Sequence, residues 1–169
     1  KNYLTDAVIG QMMGGVAPAE AHIVDGEQYN SQLFPFPVWT CHDAVSPSDF
    51  KSHARFSQMV KKVAANRDMS FRAMRKDPKR RQWLGRAVIT LNDDPNSLAL
   101  LPQTDNNILD KIAILHVQEP TIDKFLTNEA IRDELPYFGR YVIDHGIHKD
   151  HVGSARFGVK PYHQEELLE

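Results

Sequence analysis

The stretch RAVITLNDD, residues 86–94, carries a buried-looking strand straight into an asparagine and two aspartates. Val88, Ile89 and Leu91 form a short apolar run of the kind found in an interior strand. A turn would explain the polar stop. So would an active site at the carboxyl end of a parallel strand, where open α/β sheets bind their ligands.

A second stretch repeats the pattern. VWTCHD, residues 38–43, reads as a short buried strand ending in Cys41-His42-Asp43. DKIAILHV, residues 110–117, reads as a third, with Ile112, Ile114 and Val117 as core. Helical signals separate the strands. In LTDAVIGQMMGG, Leu4, Val8 and Met12 recur at fourfold spacing before Gly14-Gly15, and an irregular stretch then runs to about Pro37. SPSDF opens a helix to about Ala65, with Ser46 as cap, Pro47 in the first turn and Asp49 at the positive end. From Thr121 the chain looks helical; Leu135, Phe138 and Val142 share a face, and Gly146 is a stop before a polar tail. Strands alternating with helices predict an α/β fold with a mainly parallel sheet, flanking helices and a helical C-terminal part. The expected organisation is an α/β core over 1–118, with a basic hairpin segment at 67–86, and a helical extension and tail over 119–169.

The 169 residues suffice for one domain with a sizeable core, and 41% hydrophobic with 25% charged residues is ordinary for a globular protein. No apolar run approaches the roughly 20 residues of a membrane span, and no secretory leader is visible. Cys41 is the only cysteine, which excludes internal disulfides and fits a reducing compartment; a cytoplasmic location is expected. The chain starts at Lys1, which suggests a processed product or a piece of a longer protein.

A net charge of −2 conceals a segregation. Residues 61–86 hold ten of the twenty Lys and Arg and two acids, for +8, and the remainder carries −10. A block of that density can hold a polyanion, or it can be a solvated helix face. Asp77-Pro78 breaks the block, so MSFRAMR and RRQWLGR flank a turn, as a hairpin or as two short helices. In a hairpin, Arg75, Lys76, Lys79, Arg80 and Arg81 would gather near the tip and bind phosphates with a salt-sensitive affinity. Phe71 or Trp83 could stack on a base, although aromatics more often fill cores.

Asp43 at a strand end can hold Mg²⁺ or polarise a water, and Asn92 can orient a water against a γ-phosphate; each alone is also an ordinary turn residue. Taken in order, KNYLTDAVIGQMMGG, YNSQLF, VWTCHDAV, FSQMVKKVAANRDMSFRAMRK, WLGRAVITLND and LPQTDNNILDKIAIL resemble the superfamily 3 helicase-like ATPase domain of phage and plasmid primase-helicases, an AAA+ family. RFGVKPYH, residues 156–163, is similar to sequences that follow this domain. The resemblance implies a P-loop ATPase core using ATP and Mg²⁺, with a homo-oligomeric ring around single-stranded DNA. It places Lys1 at the phosphate-binding lysine and Asn2 at the Mg²⁺-binding hydroxyl position, where Ser or Thr is usual. It makes Asp43 the surviving member of an acid pair whose other position is His42, and Asn92 the polar sensor. The glycine-rich part would precede Lys1, so this chain alone is expected to hydrolyse ATP poorly. Arg140 and Arg156 are both candidates for an arginine supplied to the neighbouring subunit.

The alternative is a nucleotide-independent DNA-binding or assembly module that kept the fold without the chemistry. A third possibility is a metal hydrolase built on His145, His148 and His151, though Gly146 interrupts their helix and nothing nearby completes a ligand set. A Cys41–His42 nucleophile pair is improbable because strand neighbours point to opposite faces.

Overall fold

A computed structural model describes residues 2–42, 50–98, 111–117 and 127–152. The chain divides into two compact units, Asn2–Thr104 and Asp105–Glu169.

The first unit is built on a parallel sheet of three strands: β1 (Val16–Pro18), β2 (Val38–Cys41) and, after the hairpin strands β3 and β4, β5 (Arg86–Ile89). β2 is central. It pairs with β1 through Val16↔Val38 to Pro18↔Thr40, and with β5 through Val38↔Arg86 to Cys41↔Ile89. All four β2 residues are buried, as a strand covered on both faces must be. Pro18 ends the edge strand β1, a position that tolerates its missing N–H. Backbone pairing continues past β5, where Thr90 N–H donates to the Cys41 carbonyl at 2.9 Å.

Helix α1 (Glu20–Ile23) follows β1, and helix α2 (Phe50–Ala65) connects β2 to the hairpin. Phe56, Val60 and Val63 are buried at helical spacing, which fixes the α2 face turned to the core. The expected cap residues Ser46, Pro47 and Asp49 lie outside the described residues. β3 (Asp68–Phe71) and β4 (Lys79–Gln82) pair antiparallel from Asp68↔Gln82 to Phe71↔Lys79, so the basic block is a hairpin and not two helices. The turn NDDPNS leads into a short helix α3 (Pro95–Leu98), whose first turn Asp94 caps by accepting from Ser97 N–H at 3.0 Å and Ser97 Oγ at 2.6 Å.

Three expectations need correction. The N-terminal helix has a π-helical stretch at Leu4–Gly10, and its buried residues are Thr5 and Gly10, five apart. Five-residue spacing suits i→i+5 winding, and Leu4 (58% exposed) and Met12 (39%), whose fourfold spacing marked the helix, face outward. The stretch before Pro37 is not wholly irregular, since it contains β1 and α1. Residues 111–117 do not form a strand: a single-residue bridge occurs at Ile114, and Val117 is 69% exposed, so the apolar alternation there finds no ladder to join.

In the second unit, helix α4 spans Asn128–His145. Thr127 Oγ1 caps it by accepting from Ala130 N–H at 3.2 Å, and Gly146 ends it at φ 62°, where a side chain is strained. Ile131 is its buried residue, while Phe138 and Val142 of the expected apolar face are 46% and 44% exposed. No helix among the described residues is long and apolar enough to cross a membrane.

The joint between hairpin and sheet tolerates no added atom. A Cβ on Gly85 would stand 2.4 Å from Trp83 Cη2 and 2.6 Å from the Pro37 carbonyl oxygen, the acceptor of Arg86 N–H. Gly85→Ala should therefore destabilise the fold by about 1–3 kcal/mol through overpacking. That corresponds to a fall of several degrees in the midpoint of thermal unfolding followed by circular dichroism; an unchanged midpoint would refute the tight joint.

Candidate functional site

The carboxyl ends of the parallel strands gather polar side chains. Asn2 reaches the residue after β5, its Oδ1 accepting from Thr90 Oγ1 at 3.2 Å. His42, directly after β2, gives its backbone N–H to Glu20 Oε1 at 2.9 Å, and its Nε2 meets Asp6 Oδ1 at 3.0 Å. Glu20 begins α1, immediately beyond β1. Residues from the N-terminal helix, α1, β2 and β5 thus share one edge of the sheet, the edge at which ligands bind in parallel α/β folds. His42 Nδ1 is buried with no hydrogen-bond partner.

Asn92 is exposed, three residues beyond β5 and engaged with a neighbour. β2 and β5 are adjacent, so the chain leaves the sheet towards Asp43 and towards Asn92 from neighbouring strands. Asp43 and Lys1 lie outside the described residues, as does Arg156. Arg140 pairs with Asp144 within α4, Nε to Oδ2 at 2.6 Å. Sequence alone gave no sign of Asp6 or Glu20 as neighbours of His42, because those contacts span 36 and 22 residues.

Beside His42, Cys41 is fully buried, and desolvation, with the charges of Glu20 and Asp25 adding to it, pushes its thiol up to about 12. A thiol so placed is a core atom and not a nucleophile. Of the late histidines, His145 stacks on Tyr141 at 5.3 Å between ring centroids, His148 Nδ1 sits 3.3 Å from Asp150 Oδ2, and the His148 and His151 rings meet edge-on at 6.2 Å. Among the described residues no group of three or more His, Cys, Asp or Glu could hold a metal ion.

The second candidate surface is the hairpin. Lys79, Arg80 and Arg81 are all exposed on β4, and Arg75 and Lys76 lie exposed in the turn, with Arg75 at φ 57°, unusual for a residue with a Cβ. Because paired residues of an antiparallel ladder share a face, Lys79 and Arg81 stand on the side of Phe71 and Met69. Arg80 stands on the other, with Ser70. The charges therefore sheathe the hairpin instead of meeting at its tip. None of the five makes an ion pair among the described residues.

The hairpin is anchored at its base. Asn30, 3% exposed, donates from Nδ2 to the Ser70 carbonyl at 2.8 Å and accepts at Oδ1 from Arg72 N–H at 2.9 Å. Its own N–H donates to the Arg72 carbonyl at 3.0 Å. Trp83, after β4, donates from Nε1 to the Val63 carbonyl at 3.0 Å and packs on Trp39 with centroids 4.2 Å apart. Trp83 is thus a core residue and unavailable to a base, whereas Phe71 is only half-buried.

Compared with protein-family models, curated proteins and solved structures, the chain matches none.

Two outcomes follow from these burials. Asn30→Ala strands the Arg72 N–H and the Ser70 carbonyl, at about 1–3 kcal/mol, and should speed hydrogen exchange of the Arg72 amide; unaltered exchange would show that Asn30 does not anchor the hairpin. For Cys41, the raised thiol contributes stability that is complete below pH 9 and lost as pH climbs towards 12. Wild type should lose more stability over that range than Cys41→Ala, and at pH 8 a thiol reagent should label Cys41 only when denaturant is added. Rapid labelling of the folded protein would contradict this.

Proposed function

We propose that the chain is the ATPase-type domain of a DNA helicase or translocase that acts on single-stranded DNA as a homo-oligomeric ring, in a P-loop ATPase core of the AAA+ kind. One observation carries the reading: an exposed basic hairpin is inserted between two adjacent parallel strands, β2 and β5, whose carboxyl ends lead to Asp43 and Asn92. Nucleotide chemistry needs an acid and a polar sensor on neighbouring strand ends, and the hairpin gives that site something to move.

The roles follow from residue chemistry. Lys1 would neutralise the β and γ phosphates, and Asn2, already drawn to the end of β5 by Thr90, would lie beside them. Asn92 would orient the attacking water. Mg²⁺ usually keeps several waters and takes one or two carboxylates beside the phosphates. Asp43 would be its ligand, and Asp6 brings a further carboxylate against His42, the position of the missing acid. The metal would neutralise charge developing on the phosphate oxygens. Arg140 or Arg156 would serve the neighbouring subunit's site. Lys76, Lys79, Arg80 and Arg81, with Arg75, would grip DNA through its phosphates.

A nucleotide-independent DNA-binding module is the second reading. It is favoured by the engagement of His42 with Asp6 and of Asn2 with Thr90, which commits those side chains to the protein itself.

The discriminating experiment is a titration of labelled single-stranded DNA at two salt concentrations, with and without Mg-ATP. Affinity should fall with salt at a logarithmic slope of about −0.7 per phosphate contact. The variant with Lys76, Lys79, Arg80 and Arg81 all changed to Ala should bind at least about tenfold more weakly, since tenfold is only about 1.4 kcal/mol. Mg-ATP should change the wild-type affinity, and Asp43→Ala should abolish that response. Unaltered affinity in the quadruple variant would remove the hairpin from the reading, and DNA binding indifferent to nucleotide would leave the second reading standing.

A further inference from the structure

Arg81 differs from the other hairpin cations in what lies beneath it. Its Cζ stands over the Phe71 ring, 4.4 Å from the centroid, across the β3–β4 ladder. Phe71 is itself wedged by Phe34 at 5.3 Å between centroids, and Phe34 packs on Trp39 and Trp83 at 5.6 and 6.2 Å. The guanidinium therefore rests on a ring that the core holds still. Arg81 is exposed, and among the described residues its side chain forms no hydrogen bond or ion pair. Arg72 provides the contrast: it lies over Tyr29 at 5.7 Å but donates to Gln28 Oε1 at 2.6 Å, so the protein already occupies it.

A guanidinium is planar, weakly hydrated and able to stack, which an ammonium is not. Held on an aromatic ring, it loses less freedom when a second π-face arrives, and unpaired bases present such faces whereas duplex bases hide theirs. We infer that Arg81 on Phe71 is a base-stacking platform, through which the hairpin takes an unpaired nucleobase of single-stranded DNA while Lys79 on the same face and Arg80 on the other hold phosphates. This rests on the DNA-binding reading above and adds a base contact through which the hairpin would recognise single strands. It also assigns Phe71 a purpose beyond the core.

Stacking and charge separate experimentally, because phosphate contacts set the salt slope and base contacts do not. The probes are a labelled oligothymidylate and an oligonucleotide of equal length carrying abasic sites, titrated against wild type, Arg81→Lys, Phe71→Leu and Lys79→Ala at two salt concentrations. Arg81→Lys keeps the charge. It should bind oligothymidylate roughly tenfold more weakly with the salt slope unchanged, since base stacking contributes about 1–3 kcal/mol per base. Phe71→Leu, which keeps the guanidinium but removes its support, should lose a similar factor. Lys79→Ala should lower the slope and weaken both probes alike. Wild type should prefer oligothymidylate over the abasic probe by roughly tenfold, and Arg81→Lys should erase that preference. Equal binding of the two probes by wild type, or full affinity in a folded Arg81→Lys protein, overturns the platform while leaving the basic hairpin as a DNA grip. Failure of wild type to bind either probe at low salt overturns the DNA-binding reading, and the platform with it.

Discussion

Trp39 against Trp83 is the contact on which the first unit depends. Trp39 is fully buried in the central strand, and its indole N–H donates to the Leu33 carbonyl at 2.9 Å, so a large ring is seated there with no polar atom stranded. Trp83 arrives from the far end of the hairpin and lies 4.2 Å away between centroids. Phe34 closes on both, and Phe71 joins through Phe34. Four aromatic rings drawn from a loop, the sheet, the hairpin and its exit thus form one cluster. Truncating a buried aromatic of this size to alanine costs about 3–5 kcal/mol, a large share of the 5–15 kcal/mol by which domains are stable.

That cluster explains why a strand as polar as β4 can exist. Lys79, Arg80, Arg81 and Gln82 are exposed on both faces and bury nothing of their own. Two strands in isolation are marginal in water. This pair is secured from outside, by Asn30 bonding the backbone at Ser70 and Arg72 and by Trp83 bonding back to α2. Mutual repulsion among the cations is tolerated because the ladder does not rely on their contacts.

What was legible in the sequence was the part governed by local pattern. The apolar runs around Val38–Cys41 and Arg86–Ile89 announced strands, and both form, parallel and adjacent, but only β2 is buried: in β5 Arg86 is exposed and Ala87, Val88 and Ile89 are half-buried. Gly146 announced the end of α4. Asp77-Pro78 announced the turn, although pattern alone left two helices open. What was not legible depended on distant or irregular geometry. Three residues, VAP, are too short and too poor in branched side chains to signal β1. The fourfold spacing of Leu4, Val8 and Met12 announced the helix but not its π winding, which buries Thr5 and Gly10. Residues 110–117 alternate well, but alternation does not supply a partner strand. At the site, Asn92 could be picked out by its place after an apolar run, whereas Asp6 and Asn30 act through contacts that span 36 to 42 residues and leave no local trace.

Connectivity carries one more consequence. Between the last hairpin residue, Gln82, and the first residue of β5, Arg86, stand only Trp83, Leu84 and Gly85. Trp83 is fixed by its hydrogen bond to Val63, Gly85 is pressed between that indole and the Pro37 carbonyl, and Arg86 N–H donates to the same carbonyl at 2.9 Å. Leu84, between Trp83 and Gly85, is 76% exposed. The hairpin is thus tied closely to β5, which pairs with β2 through the Val38↔Arg86 to Cys41↔Ile89 register. Packed elements of this kind shift as bodies and do not deform gradually. The strand ends that lead to His42 and Asn92 and the surface that bears Arg81 are thus joined through a three-residue connection. A ligand that bound one of them more tightly in a shifted position would, by reciprocity, alter affinity at the other.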